Sequence, residues 1–242
     1  MKTLKILAIG NSFTQDPLRY LHDVAKERGV NIKCVNLVIG GCSLERHYRN
    51  MMSGANIYAL ELNGEPTGFS VSLSQALGSD CFDIVTLQQA SHFSYLPETY
   101  DPYIEKLAEY VRAFQPHAKL YIQKTWGYED GSARLHDHGF ATHTDMYLAA
   151  TAAYDNAAQK IGADGTIPSG LGMKLGVDAG LKIHRDTFHA SLGIGRYLLS
   201  LVWLETLTGL SAAEDGYSLF DEPVSDEDLV KVRAAAHQAC QN

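Results

Sequence analysis

The chain has 242 residues, 45% of them hydrophobic and 20% charged, with 21 glycines spread along it; this is enough apolar material for a sizeable core and excludes a largely disordered polymer. Twenty Lys and Arg against 28 Asp and Glu leave a formal net charge of −8, and with no basic cluster to track a phosphate backbone, nucleic acid is a poor partner. No apolar stretch reaches membrane-spanning length and the opening "MKTLKILAIGNSF" is too short for a secretory signal, so as written the chain reads as soluble and cytoplasmic, a removed export signal leaving no trace.

No shift in composition marks a boundary, which predicts one domain over residues 1–242. "LKILAIG" (Leu4 to Gly10) reads as a buried strand. In "DPLRYLHDVAKERG" that follows, Asp16 is a possible N-cap, Pro17 the first helical residue and Gly29 the stop. "NIKCVNLVI" (Asn31 to Ile39) and "FDIVTLQ" (Phe82 to Gln88) read as further strands. "YDPYIEKLAEYVRAFQP" places Ile104, Leu107, Ala108 and Val111 on one helical stripe, closed by Pro116, before a fourth strand "AKLYIQKTW" (Ala118 to Trp126).

The later chain is mostly helical. "THTDMYLAATAAYDNAAQKIG" comes first, then "SLGIGRYLLSLVWLETLTG", then "SDEDLVKVRAAAHQAC", where Ser225 can cap a helix whose first turn carries Asp226, Glu227 and Asp228. Between the first two, "IGADGTIPSGLGMKLG" lacks any Gly-Lys-Ser or Gly-Lys-Thr and reads as a connecting loop. Strands alternating with helices predict an α/β protein: a parallel sheet covered on both faces, three layers deep. Cys34, Cys42, Cys81 and Cys240 have no paired spacing and read as reduced.

Ser12 sits at the first strand-to-helix turn, where parallel sheets bind ligands and where a helix N-terminus favours negative charge. Alone, Asn11 and Ser12 read more readily as turn and capping residues. A serine nucleophile needs a base, and the base an orienting partner. "HRDTFHASLGIGRYLL" offers both, with Asp186 and His189 three apart before an apolar helix; the alternative is that Asp186 caps that helix.

At these residues the chain resembles the SGNH, or GDSL-type, esterase and lipase superfamily: "AIGNSFTQD" looks like its first block and "DTFH" like its last, Asp-x-x-His. "GNSFT" with "IGGCSL", "LQQASH" and "DTFHASLGIGRYLLSLVWLETLTG" is similar to an uncharacterised subgroup of SGNH-like proteins found in bacteria. The resemblance spans essentially the whole chain and implies a flavodoxin-like three-layer fold. Position by position it makes Ser12 the nucleophile, His189 the base and Asp186 its orienting acid. The oxyanion hole would comprise the Ser12 backbone N–H and Gly41, with Gly40 the alternative. The third block departs from the family. Where Gly-x-Asn-Asp is usual the chain has "LQQASHFS", so the side-chain donor is assigned to Gln89, with Gln88 or His92 as substitutes. Asn11 also stands where Asp is usual.

Several further residues are candidates for substrate contact. His47, within the mixed-charge "ERHYR", suggests a polar wall or a solvated helix start, and Trp126 and Tyr128 stand at the end of the fourth strand, where an aromatic can stack on a sugar, core packing explaining Trp126 equally well. Gln88 and His92 complete this set. "ARLHDHGFATHTD" carries His136, His138 and His143; it lacks strand character and reads as a lid loop rather than a metal site. No metal or organic cofactor is implied. The expectation is therefore a serine esterase acting through an acyl-enzyme on a small-molecule or glycan ester, with an O-acetylated carbohydrate favoured. The alternatives are a lipase or thioesterase on another acyl group, and a carbohydrate-binding domain that keeps the fold without catalysis.

Overall fold

The structure, a computed structural model, describes residues 2–241. Its centre is one seven-stranded sheet. β1 (Leu4–Gly10) pairs in parallel with β2 (Ile32–Val38) on one side and β5 (Ile84–Leu87) on the other, and β6 (Lys119–Gln123) and β7 (Gly165–Ile167) continue in parallel beyond β5. Beyond β2, β3 (Tyr58–Leu62) and β4 (Glu65–Val71) add two antiparallel strands, giving the order β4-β3-β2-β1-β5-β6-β7. The five parallel strands follow the flavodoxin-like order, whose direction reverses beside β1.

Alternation along β1 divides the interior into two cores. Ile6 and Ala8 join one, beneath α1 (Ser12–Glu27), α7 (Ser169–Asp178), α8 (Ile194–Thr208) and α9 (Asp226–Cys240). Leu7 and Ile9 join the other, beneath α2 (Leu44–Ser53), α3 (Leu73–Leu77), α4 (Tyr103–Phe114) and most of the buried face of α6 (His143–Ile161). The central strands are buried on both faces, as a parallel sheet between two helical layers requires.

Three local expectations change. α1 begins at Ser12 rather than Pro17: Asn11 is its N-cap, its side-chain oxygen accepting the Phe13 N–H at 2.9 Å. Asp16 is buried inside the helix instead of capping it. Pro17, also internal, has no N–H to offer the Phe13 carbonyl, and Gln123 donates its side-chain N–H there at 2.9 Å. The β3–β4 hairpin turns at Asn63 and Gly64, both with positive φ, a two-residue Asn-Gly turn that the strand assignments passed over. The Gly-rich segment after α6 is no loop but holds β7 and α7. Its glycines permit close packing, since a Cβ on Gly170 would collide with the Thr125 carbonyl.

Candidate active site

Ser12 is the first residue of α1, set by the Asn11 cap at the carboxyl end of β1. His189 reaches it from the segment after α7. There His184 and Ala190 form an antiparallel bridge, and the turn between them places Thr187 at φ 73°. His189 Nε2 lies 2.8 Å from Ser12 Oγ, and its Nδ1 lies 2.7 Å from Asp186 Oδ2. The carboxylate can only accept, so Nδ1 carries the proton and the serine hydroxyl donates to Nε2. Asp186 also accepts the His189 backbone N–H at 2.9 Å. Partial burial works against ionisation of Asp186, yet these two bonds from His189 outweigh it and hold the carboxyl below its usual range. Asp186 does not cap α8, whose N-cap is Gly193 without a side-chain bond.

The turn is braced from beneath. The buried Asp16 carboxylate accepts the Ala190 N–H at 3.0 Å and pairs with Arg185 at 2.9 Å and Arg196 at 3.0 Å. Trp126 donates its indole N–H to the Phe188 carbonyl at 2.8 Å and stacks on Phe13 with ring centroids 4.2 Å apart. Trp126 is fully buried, which corrects its assignment as a substrate contact: it supports the turn.

Opposite Ser12, Gly40 and Gly41 follow β2, and both line the cleft. Gly41 has φ 60°, a conformation that favours glycine, and a Cβ there would enter open space. Among the described residues neither the Ser12 N–H nor the Gly41 N–H has a protein acceptor. Asn11 ties three strand ends together: its amide donates to the Cys42 carbonyl at 3.1 Å, and its oxygen accepts from Gln88 at 2.7 Å as well as from Phe13. An Asp at this position could not make the bond to Cys42.

The segment after β5 departs furthest from expectation. The Gln89 amide points elsewhere: its Nε2 donates to the carbonyl and hydroxyl of Thr99 at 3.0 and 3.1 Å, while its oxygen accepts the Leu44 N–H at 2.9 Å. Gln89 thus fastens loops and is not placed as an oxyanion donor. Gln88 is committed to Asn11 and buried, so it contacts no substrate. His92 lines the cleft, its ring making no hydrogen bond among the described residues. Half-burial, reinforced by His138 and Arg134, lowers its pKa and favours the neutral ring.

The cleft is about 500 Å³ and opens over Ser12 and His189, floored by Phe13, Tyr128 and Phe188. Tyr128 is held by Ser91 across 3.0 Å, hydroxyl to hydroxyl. His47 lies outside it, fully buried, its Nδ1 bonded to the Tyr58 hydroxyl at 2.9 Å. Of the three histidines read as a lid, only His138 reaches the cleft, bonded to Tyr95 at 2.9 Å; His136 is exposed, and His143 is buried against the Tyr128 carbonyl. Among the described residues no group of three or more His, Cys, Asp or Glu side chains converges as a metal site, no helix is long and apolar enough to cross a membrane, and all four cysteines are free thiols. Asp16, Ser91, Arg134 and Phe188 were not singled out as parts of the site, and Asn11 was read only as a turn and capping residue. Arg134 falls within the segment read as a lid, but nothing in the sequence separated it from its neighbours, and nothing marked Phe188.

This three-layer sheet, with a Ser-His-Asp chain at its switch point, has the architecture of the SGNH and GDSL hydrolases. Residues 5–239 match the family described as a domain of unknown function, DUF4886, and the chain belongs to that family. A DUF4886 family protein from Bacteroides uniformis is 32% identical, covers 99% of this chain and 95% of its own, and superposes with a TM-score of 0.92. A candidate SGNH hydrolase from Slackia heliotrinireducens is 26% identical, with 85% of this chain and all of that one covered and a TM-score of 0.60. TesA shares the fold at 14% identity, with 85% and 99% of the two chains covered and a TM-score of 0.56. None of the curated proteins matches.

Proposed function

We propose that the protein is a serine ester hydrolase. The observation that carries this reading is the unbroken hydrogen-bond chain from Asp186 through His189 to Ser12, opening onto a cleft. Ser12 Oγ attacks the ester carbonyl carbon as His189 Nε2 takes its proton, and Asp186 stabilises the imidazolium. The carbonyl oxygen becomes an oxyanion bound by the backbone N–H groups of Ser12 and Gly41, with the neutral His92 ring as the side-chain donor in place of the family's Asn. Collapse breaks the bond to the alcohol, which leaves with the proton from His189. Water, deprotonated by the same nitrogen, then cleaves the acyl-serine and releases the carboxylic acid.

A cleft of about 500 Å³ walled by imidazoles, glycine backbone and a serine suits a short acyl group on a polar alcohol. An O-acetylated carbohydrate is the substrate class that best fits this lining. The test is hydrolysis of 4-nitrophenyl acetate by wild type and Ser12→Ala with a chelator present. Activity confined to the wild type is expected, and equal activity in both proteins would sink the reading. The absence of an Asn donor favours one rival, a glycan-binding domain without turnover; binding of an acetylated glycan that the wild type never deacetylates would establish it.

A further inference from the structure

The cleft contains a guanidinium that the reaction does not use. Arg134 lies on α5 (Ala133–Asp137), a short helix capped by the Ser132 hydroxyl, which accepts the Leu135 N–H at 3.2 Å. Its guanidinium carbon sits 4.0 Å from the centroid of the Phe188 ring and 5.9 Å from that of Tyr128. The Phe188 ring in turn lies 3.8 Å from the His189 ring. This places a fixed positive charge one aromatic ring away from the base.

Arg134 is exposed at the cleft and, like Arg46, makes no side-chain ion pair or hydrogen bond among the described residues, whereas Arg19, Arg28, Arg49, Arg185 and Arg196 pair with carboxylates; of the two unpaired arginines only Arg134 lines the cleft. None of the side chains lining the cleft is a carboxylate; the titratable groups there are Arg134, Tyr128 and the imidazoles of His92, His138 and His189. Stacking on Phe188 leaves the edge of the guanidinium, with its forked N–H donors, open to a ligand.

We infer that the ester substrate carries an oxyanionic group, a carboxylate or a phosphate, and that Arg134 binds it beside the scissile bond. This rests on the serine-hydrolase reading of the same cleft. The anion supplies the partner that the protein withholds from Arg134. It also orients the ester, because a planar fork fixes direction as well as charge.

The test uses matched esters that differ in charge. Mono-4-nitrophenyl glutarate against 4-nitrophenyl valerate places the anion on the acyl side. On the alcohol side, 3-acetoxybenzoate and 3-acetoxyphenyl phosphate are set against 3-acetoxybenzamide, which also separates carboxylate from phosphate. In the wild type at least one anionic ester is expected to exceed its neutral partner in kcat/KM by about tenfold or more. That ratio falls to near one in Arg134→Gln, inverts in Arg134→Glu and shrinks with added salt. The same esters titrated into the Ser12→Ala protein give Kd values without turnover. Tighter binding of an anionic ester there, lost when Arg134→Gln is added, supports the inference even if the wild type hydrolyses none of the esters, an outcome that would defeat the hydrolase reading alone. Equal kcat/KM and equal Kd within every pair, unmoved by either Arg134 substitution, would overturn the inference while leaving a Ser12-dependent esterase intact.

Discussion

The two walls of the cleft are built on different terms. On the wall formed by α1 and the turn at residues 184–190, the side chains themselves make the continuous path from carboxylate to hydroxyl, and a buried carboxylate, Asp16, holds the turn from behind. On the wall formed by the segments after β2 and β5, the amide side chains look inward: Gln88 closes on Asn11 and Gln89 on Leu44 and Thr99. What that wall offers a ligand is glycine backbone, the Ser91 hydroxyl that also bonds Tyr128, and one imidazole, His92. Polar residues near a catalytic serine are thus not interchangeable donors. A buried amide must first satisfy itself, and one that fastens two loops has no N–H left for a ligand.

The contrast is broken most severely from the first wall. Asp186→Asn keeps the size of the side chain but lets His189 take the wrong tautomer, and kcat/KM is expected to fall by about 10³ to 10⁴; a loss below tenfold in steady-state assays would mean that Asp186 only shapes the turn. On the second wall, His92→Ala is expected to lower kcat about 10²-fold with the melting temperature unchanged. Gln89→Ala should do the reverse. It strands the Leu44 N–H and the Thr99 carbonyl, lowering stability by about 2 kcal/mol in urea unfolding while the folded enzyme keeps its kcat. Were Gln89→Ala to abolish turnover at full stability and His92→Ala to do nothing, the roles of these two residues would be exchanged.

Much of this was legible in the chain, for reasons particular to each part. Leu4–Gly10, Ile32–Val38 and Lys119–Gln123 are largely buried strands, so runs rich in Ile, Leu and Val marked them, and Ser12, Asp186 and His189, singled out by local punctuation and the SGNH resemblance, lie within hydrogen-bond reach of one another along one chain. The hairpin at Tyr58–Val71 was missed because its outer strand is largely exposed and half polar; only Asn63 and Gly64 announced it. β7 and α7 hid behind glycines that serve close packing rather than turns. The misassigned residues, His47, Trp126, Gln88 and Gln89, share one cause. Each lies within a few residues of the cleft in sequence yet faces the interior: Gln88, Gln89 and Trp126 follow strand ends and His47 lies on the buried face of α2, and which way each side chain turns is set by tertiary contacts.

The smallest effect is a pH dependence of stability, and it too distinguishes the walls. His47 lies behind the second wall, its pKa lowered to about 3 by burial and then by the Arg46 charge; His184 lies behind the first, lowered to about 4 by burial and then by His143. In the unfolded chain both titrate near the ordinary value of about 6.5. Below that pH the unfolded state binds protons that the folded state refuses, so stability present above pH 6.5 is lost as pH falls toward those depressed values. Each histidine contributes at most about 1.4 kcal/mol per pH unit across that window. Burial also lowers His92 and His143, so His47→Gln removes one of several such titrations, and urea unfolding at pH 6.5 and 5.5 should show a shallower loss than wild type. The Asp186 carboxyl, held low by His189, stays ionised through this range and adds no slope there. An unchanged slope in His47→Gln would move the acid sensitivity to the other histidines that burial holds neutral, and the same measurement on His184→Gln would then show whether it lies behind the wall that carries Ser12 and His189.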